Sequence, residues 1–380
     1  MFFKRPPSKN TRGLFRQPHF VLKTEGMHFR KFAILLLAAS TAAAAEQPKI
    51  AIVGLLHSHV WGHIGKMIKG EPARLVGIVE TEPELIAEAK KRGATVPFYS
   101  DVKKMLDETK PDIVWSFVEN NRHLEVVQAC APRKVHVMFE KPLASNYADA
   151  VKIRDLAKKY GIHVMVNYQM AWWAANYTAK AQADAGAVGQ VYRLRGVVGH
   201  GGPGNNSGLN KYFFGWLTDP VKNGAGALMD FGCYNALWSL MYLGRPESVY
   251  ATTNQLRPGE FPKVEDNSAM ILKYKNAVGL FEGSWDLPRS FQDLEVFGRE
   301  GSLYMQNGKV ELRKGRTPSQ EVKIDPLAAD DSEPIAFMVK TIRTNTPITG
   351  MVGLDLNLGV IEIIDAAKKS VATGQAIKLR

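Results

Sequence analysis

Between residues 49 and 167 the chain repeats one pattern, a short apolar run, a turn and then a stretch with helical periodicity, and no other feature restricts its possible folds so tightly. Apolar runs fall at 49–54, 73–80, 112–118, 135–140 and 162–167; helical stretches at 60–69, 83–92, 123–131 and 149–160 separate them. Short runs rich in Val and Ile read as strands buried on both faces, and strands that alternate with helices pair through right-handed crossovers. The expected fold is α/β, with an N-terminal doubly wound parallel sheet. After about residue 169 the pattern changes. Strand-like segments at 191–198, 248–255, 269–274, 278–285 and 294–297 follow one another with few helices apart from 227–243 and a closing 354–372. These predict a second α/β domain with an open, mostly antiparallel sheet. The expected division is an extension over 1–45 and two domains over 46–168 and 169–380, without internal repeats.

Charge excludes one class of partner. The 49 Lys and Arg exceed the 37 Asp and Glu, but eight of the basic residues and one acidic residue precede residue 46, which leaves 41 against 36 for the rest. No run of cations with interleaved aromatic residues occurs, so nucleic acid is not an expected partner. The N-terminal excess belongs to a targeting segment. His28-Phe29-Arg30-Lys31 is a basic region, residues 32–39 an apolar core, and Ala43 and Ala45 the small residues of an A-x-A-like cleavage site before Glu46. Met27 stands where such a peptide begins. The core is too short to span a bilayer, so cleavage without a stable membrane anchor is expected, and with it a periplasmic or secreted location; without a working signal the location would be cytoplasmic. Cys130 and Cys233 are too few for a disulfide framework and too far apart for a metal knuckle, and are expected as free thiols.

The run Val135-His136-Val137-Met138-Phe139 ends in Glu140-Lys141-Pro142. Pro142 biases Lys141 away from the α region, which leaves an ammonium at the carboxyl end of a buried strand, the edge where open α/β sheets bind ligands. The segment Ile50-Ala51-Ile52-Val53-Gly54-Leu55-Leu56-His57-Ser58-His59 stands where a dinucleotide fold puts its phosphate loop. Only the first glycine of G-x-G-x-x-G is present. Leu56 and His59 occupy the other glycine places, and His57, Ser58 and His59 offer side-chain hydrogen bonds at the helix N-terminus. Glu80 closes the second strand, placed to accept from adenosine ribose hydroxyls, and its charge repels a 2′-phosphate; NAD is therefore expected and NADP less so. The same carboxylate also suits the N-terminus of the helix over 83–92.

These residues carry a resemblance. Residues 49–54, Glu80, Ser116-Phe117-Val118-Glu119-Asn120-Asn121-Arg122-His123 and above all Glu140-Lys141-Pro142 resemble the Gfo/Idh/MocA family, the group of glucose-fructose oxidoreductase and inositol dehydrogenase, over essentially everything from Pro48 onward. The family usually reads T-P-N-x-x-H after the fourth strand. Val118 and Glu119 replace Thr-Pro here, while Asn120 and His123 match. The resemblance implies a Rossmann domain that binds NAD(P), with Asn120, His123, Glu140 and Lys141 joining Gly54, His57, Ser58, His59 and Glu80 along the cofactor. It also implies a C-terminal domain whose open sheet makes oligomer contacts, in a homodimer or homotetramer.

A second constellation is Gly224-Ala225-Gly226-Ala227-Leu228-Met229-Asp230-Phe231-Gly232-Cys233-Tyr234. On a continuous helix Asp230 and Tyr234 share a face. The family more often has His at the second place; Tyr resembles the branch of glucose-fructose oxidoreductase and dimeric dihydrodiol dehydrogenase. Oxidising a secondary alcohol sends a hydride to the nicotinamide and a proton to a base, and a phenol of pKa about 10 is a poor base near neutrality. A neighbouring ammonium favours phenolate, so Lys141 is expected to lower the Tyr234 pKa and polarise the substrate oxygen, with Asp230 orienting the substrate or the lysine. Helix amphipathicity alone would make Tyr234 core lining. Gln169, Trp172, Trp173 and Trp216, together with Tyr212, Phe213 and Phe214, offer flat apolar faces beside polar groups and are the candidate sugar contacts, against plain packing at a cleft. No metal site is expected: His57, His59 and His63 lack a neighbouring Asp, Glu or Cys, and His200 in its glycine-rich loop has no second histidine near it.

Three functions fit these features. The first is an exported NAD(P)-dependent oxidoreductase acting on a small sugar, polyol or related secondary alcohol. The second is redox-neutral glycoside cleavage, in which NAD stays bound, a sugar carbon is transiently oxidised, the aglycone is eliminated and the keto intermediate is reduced again. Export favours the second, since free NAD is not expected outside the cytoplasm. The third is a cofactor-poor binding protein, suggested by the missing glycines and opposed by Lys141, Asp230 and Tyr234.

Overall fold

The apolar runs of the first half become neighbouring strands of one parallel sheet in the computed structural model, which describes residues 46–379. The targeting segment expected over 1–45 lies outside the described residues. Strands β1 (Lys49–Val53), β2 (Arg74–Val79), β3 (Phe98–Tyr99), β4 (Ile113–Ser116), β5 (His136–Glu140) and β6 (Val164–Asn167) pair in the order β3-β2-β1-β4-β5-β6. All five pairings are parallel. Helices α1 (Val60–Lys69), α2 (Pro83–Lys91), α3 (Val102–Thr109), α4 (His123–Cys130) and α5 (Tyr147–Tyr160) make the connections. Every residue of β4 and β6 is buried, as a sheet covered on both faces requires. The two-residue β3 and the charged α3 were not foreseen. Asp101 starts α3 by accepting from the Lys104 amide at 2.7 Å, a local cap that apolar periodicity does not reveal.

Register brings the chemistry to one edge. Val53 lies opposite both Val79 and Ser116, Ser116 opposite Phe139, and Glu140 opposite Asn167. Gly54, Glu80, Phe117 and Lys141 therefore leave their strands on the same side. Strand β1 lies between β2 and β4, so the chain departs from it in both directions and a crevice opens at its carboxyl end, the usual ligand position in such sheets.

The second half adds α6 (Ala174–Asp184), β7 (Val191–Gly199), α7 (Asn210–Leu217), α8 (Ala227–Asp230), α9 (Gly232–Leu243), β8 (Ser248–Asn254), β9 (Asn267–Lys273) and β10 (Val278–Ser284). There follow β11 (Phe291–Gly298), β12 (Gly301–Gln306), β13 (Lys309–Arg313), β14 (Gln320–Glu321), α10 (Pro334–Thr344), α11 (Leu354–Thr373) and β15 (Ile377–Lys378). Its nine strands run β14-β13-β12-β11-β7-β10-β9-β8-β15, antiparallel except where β7 meets β10. Helices α9 and α11 cover one face. Alternation follows: Val249, Ala251, Met270, Leu272 and Phe281 point inward and are buried. On the other face Tyr250, Ile271 and Leu280 stand opposite one another across β8, β9 and β10, all exposed. Among the described residues no helix is long and apolar enough to cross a membrane.

Candidate active site

The helix expected over 227–243 is broken at Phe231, and the break is part of the site. The Asp230 carbonyl accepts from the Lys141 ammonium at 3.1 Å and from the Cys233 thiol at 3.3 Å, while the Tyr234 amide turns to the Phe231 carbonyl at 3.1 Å. Asp230 and Tyr234 thus reach one cleft from the two sides of a discontinuity. Two side chains, Glu265 half-buried and Asn223 fully buried, hold this region in place. Glu265 accepts from the Gly226 and Leu228 amides at 2.7 and 3.0 Å, capping α8. Asn223 donates to the Leu217 and Ala225 carbonyls and accepts at 2.8 Å from the Asn120 amide, which ties the loop before α8 to the parallel sheet.

Lys141 and Asp230 form a buried ion pair, their side chains 7% and 8% exposed. The other carboxylate oxygen accepts from Trp285 Nε1 at 2.8 Å. Trp285 follows directly on β10 and is fully buried. Sequence reading placed it only as a strand end. Burial pushes the Asp230 carboxyl up, but the Lys141 charge and its hydrogen bond, with that of Trp285, hold it below the ordinary carboxylate range. Burial likewise opposes the Lys141 ammonium, and the Asp230 carboxylate outweighs it, so Lys141 stays protonated.

Tyr234 behaves otherwise than expected. Its ring lies 5.2 Å from the Lys141 Nζ, yet burial raises the phenol pKa by more than the ammonium lowers it. The physical reason is the burial of the phenol, to which the Asp230 carboxylate beside Lys141 adds a smaller rise. Tyr234 is therefore a protonated phenol near neutral pH, a proton donor and not a resting phenolate.

Lys141, Asp230 and Tyr234 border a cavity of 370 Å³ whose walls also include His57, Ser58, His59, Gln169, His200, Asn210, Phe213 and Gln292. Of the expected sugar contacts Gln169 and Phe213 reach it. Trp172 donates its Nε1–H to Asn167 Oδ1 at 2.8 Å and sets its ring edge-on to Phe337, Trp173 packs half-buried against the core, and Trp216 is buried beneath His57, ring centroids 5.4 Å apart. These three tryptophans are packing residues. His200, on its glycine-rich loop, also faces the cavity. It accepts from the Gly202 amide at Nδ1, 3.0 Å, and burial lowers its pKa, which leaves Nε2–H as its donor. A larger hollow of 580 Å³ between α5, α11 and β15 contains Glu362 and Asp365, already engaged with Arg245 and the Tyr147 amide.

The parallel sheet's edge fits a dinucleotide. Gly54 has φ 82°, and a Cβ there would lie 2.7 Å from Val118, so only glycine permits the tight turn after β1. Glu80 accepts from the Leu55 amide at 2.7 Å with one oxygen and from the Thr81 and Glu82 amides at 2.7 and 3.0 Å with the other. An ionised carboxylate has about four acceptor positions, so one is left for a ribose hydroxyl while the others lock the phosphate loop to β2. His123 is set back from the cavity. Its Nδ1 meets the Leu143 carbonyl at 3.1 Å and its ring stacks on Phe139 at 4.3 Å, which steadies the turn that carries Lys141. Glu140 is buried between Asn167 Nδ2 at 2.8 Å and His59 Nδ1 at 2.9 Å. His57 belongs to the same group, so the expectation that these histidines have no acidic neighbour is overturned: strand register brings a carboxylate from 81 residues away.

A doubly wound nucleotide-binding sheet whose edge ends in a buried ammonium over a polar cavity defines a dinucleotide-dependent oxidoreductase. More narrowly, the chain belongs to the Gfo/Idh/MocA family: residues 48–168 match the oxidoreductase family with an NAD-binding Rossmann fold, and residues 177–304 match the GFO/IDH/MocA C-terminal domain. A myo-inositol 2-dehydrogenase of Thermotoga maritima is 24% identical over 87% of this chain and 98% of its own length. A D-xylose 1-dehydrogenase (NADP(+)) of Haloferax volcanii is 26% identical over 74% of this chain and 84% of its own length. The fold is shared with the aldose-aldose oxidoreductase of Caulobacter crescentus in complex with glycerol, with a TM-score of 0.74 and 23% identity over 88% of this chain and all of that one. Both cysteines are buried and free, and burial pushes each thiol up to about 12.

Proposed function

We propose that the protein interconverts a secondary alcohol and a ketone on a small sugar or polyol seated in the 370 Å³ cavity, with NAD(H) held along the carboxyl edge of the parallel sheet. The observation that carries this reading is the buried Lys141–Asp230 pair opening on that cavity beside the Tyr234 phenol. Gly54, His57, Ser58, His59, Glu80, Asn120 and Glu140 are the residues that would hold the dinucleotide, which supplies the hydride acceptor or donor. Lys141 donates a hydrogen bond to the reacting oxygen and stabilises negative charge that develops there; Asp230, fixed by Trp285, keeps the ammonium charged and aimed. In the reducing direction Tyr234 delivers its proton to the carbonyl oxygen. In the oxidising direction the same phenolic oxygen must first lose that proton, so oxidation gains with rising pH and reduction does not. Gln169 and His200 orient the remaining hydroxyls.

Glu80 favours NAD over NADP in this reading. The segment preceding Glu46 acts as a cleaved export signal, and the exposed row Tyr250, Ile271 and Leu280 meets a second copy of the chain. The deciding experiment is to denature the purified protein and identify the released dinucleotide by mass, then supply that dinucleotide with a panel of sugars and polyols. NAD or NADH in the released fraction, and turnover of at least one alcohol, are expected; a protein that neither carries nor binds any dinucleotide would refute the reading.

A further inference from the structure

Strand register builds a second donor set at the mouth of the same cleft. His59 Nδ1 and Glu140 Oε2 lie 2.9 Å apart, and with a ring nitrogen of His57 they form a group whose ligand atoms are all within 4.8 Å of one another. Two imidazoles and one carboxylate are the donors of many three-ligand transition-metal sites. With metal–ligand bonds of about 2.0–2.2 Å, tetrahedral donors stand roughly 3.3–3.5 Å apart, between the 2.9 Å His59–Glu140 contact and the 4.8 Å that bounds the group. His59 is the adjustable ligand, its side chain 44% exposed, while His57 and Glu140 are buried. The support behind the carboxylate is already built: Asn167 Nδ2 donates to Glu140 Oε1 at 2.8 Å, and Trp172 Nε1 donates to Asn167 Oδ1 at 2.8 Å. Such outer partners orient a metal-binding carboxylate. The charge of Lys141, which lines the same cavity, is offset in part by its ion pair with Asp230.

We propose that His57, His59 and Glu140 bind one divalent transition-metal ion of the zinc class, with an open coordination position toward the 370 Å³ cavity that both histidines line. The place is the loop where His59 stands for the last glycine of the phosphate-binding pattern. A cation there would attract an oxygen ligand from the cavity, whether from water, a sugar or a pyrophosphate. The histidines and the carboxylate are separate in sequence and converge only because β5 ends level with β1, which is why the three-histidine spacing of His57, His59 and His63 alone pointed nowhere.

The test titrates Zn²⁺ alone into the full chain after treatment with chelator and removal of any bound dinucleotide, so it stands apart from the dinucleotide reading. Calorimetry should give one Zn²⁺ per chain, and Co²⁺ in its place should give the visible absorption of a low-symmetry four-coordinate site. His59→Ala, at the exposed ligand, should weaken Zn²⁺ binding at least tenfold with the circular dichroism unchanged, and Glu140→Gln should do the same. His63→Ala, at a ring that packs tilted against Trp115 outside the group, should leave affinity within twofold. Absence of stoichiometric Zn²⁺ binding overturns the proposal, as does a folded His59→Ala protein that binds Zn²⁺ as tightly as the parent.

Discussion

Replacing Lys141 by Met strands a buried carboxylate, and the size and pH dependence of the damage follow from the geometry. Asp230 would keep only the Trp285 hydrogen bond for a side chain 8% exposed. Removing one partner of a buried ion pair costs about 3–5 kcal/mol, and the lower end applies here because the pair borders a cavity. With a urea slope near 3 kcal/mol per molar, Lys141→Met should lower the unfolding midpoint by about 1 M at pH 7. The double variant Lys141→Met/Asp230→Asn should recover most of that loss, since no unpaired charge remains. Without Lys141, burial raises the folded pKa of Asp230 above its unfolded value. The folded variant then binds the extra proton, and its stability rises as pH falls. In the parent, where the folded pKa is depressed, the Asp230 contribution is lost as pH falls. The gap between parent and Lys141→Met should therefore narrow from pH 7 to pH 5. Urea denaturation followed by tryptophan fluorescence at several pH values measures it. A gap that stays constant, or a double variant no more stable than the single one, would refute the reasoning.

Other outcomes follow from individual residues. Tyr234→Phe should lower ketone reduction by about 10²- to 10⁴-fold while leaving dinucleotide affinity unchanged, measured as separate kinetic and binding constants. Glu80→Gln removes the charge facing a 2′-phosphate and should improve NADP(H) binding by about tenfold, roughly 1.4 kcal/mol, in parallel calorimetric titrations with NAD(H). His123, held down to about 4 by burial, stays neutral in the folded protein while the unfolded chain takes up a proton below the ordinary 6.5. Its share of stability is complete above pH 6.5 and should fall by about 3 kcal/mol as pH drops to 4. His123→Gln should flatten that slope in urea unfolding.

The parts of the site that were legible in sequence are those set by local pattern. Strand β5 and its Glu140-Lys141-Pro142 ending could be read because burial, β-branching and proline act within a few residues. The same holds for Gly54, whose turn admits no side chain. What escaped depended on contacts between distant segments. The break at Phe231 exists because Lys141, 89 residues before Asp230, takes the carbonyl that a continuous helix would have used. Trp285 reaches Asp230 across 55 residues, and Asn223 reaches Asn120 across 103. The protonation of Tyr234 escaped because the depth of its burial is set by distant segments, and with it the Asp230 partner of the ammonium. The tryptophans suggested stacking faces by composition alone, whereas three-dimensional packing turns Trp172, Trp173 and Trp216 away from the cavity and exposes Gln169 and His200 to it.

The most direct test of the account is the fate of one hydrogen. The full chain, loaded with NAD⁺, would be mixed with sugars and polyols deuterated at carbon, quenched after a single turnover, and its dinucleotide analysed by mass. Transfer of one deuterium to the dinucleotide by the parent protein, and its loss in Lys141→Met and Tyr234→Phe proteins that still bind NAD⁺, is the expected result. A parent protein that binds both NAD⁺ and a sugar yet moves no deuterium would contradict it.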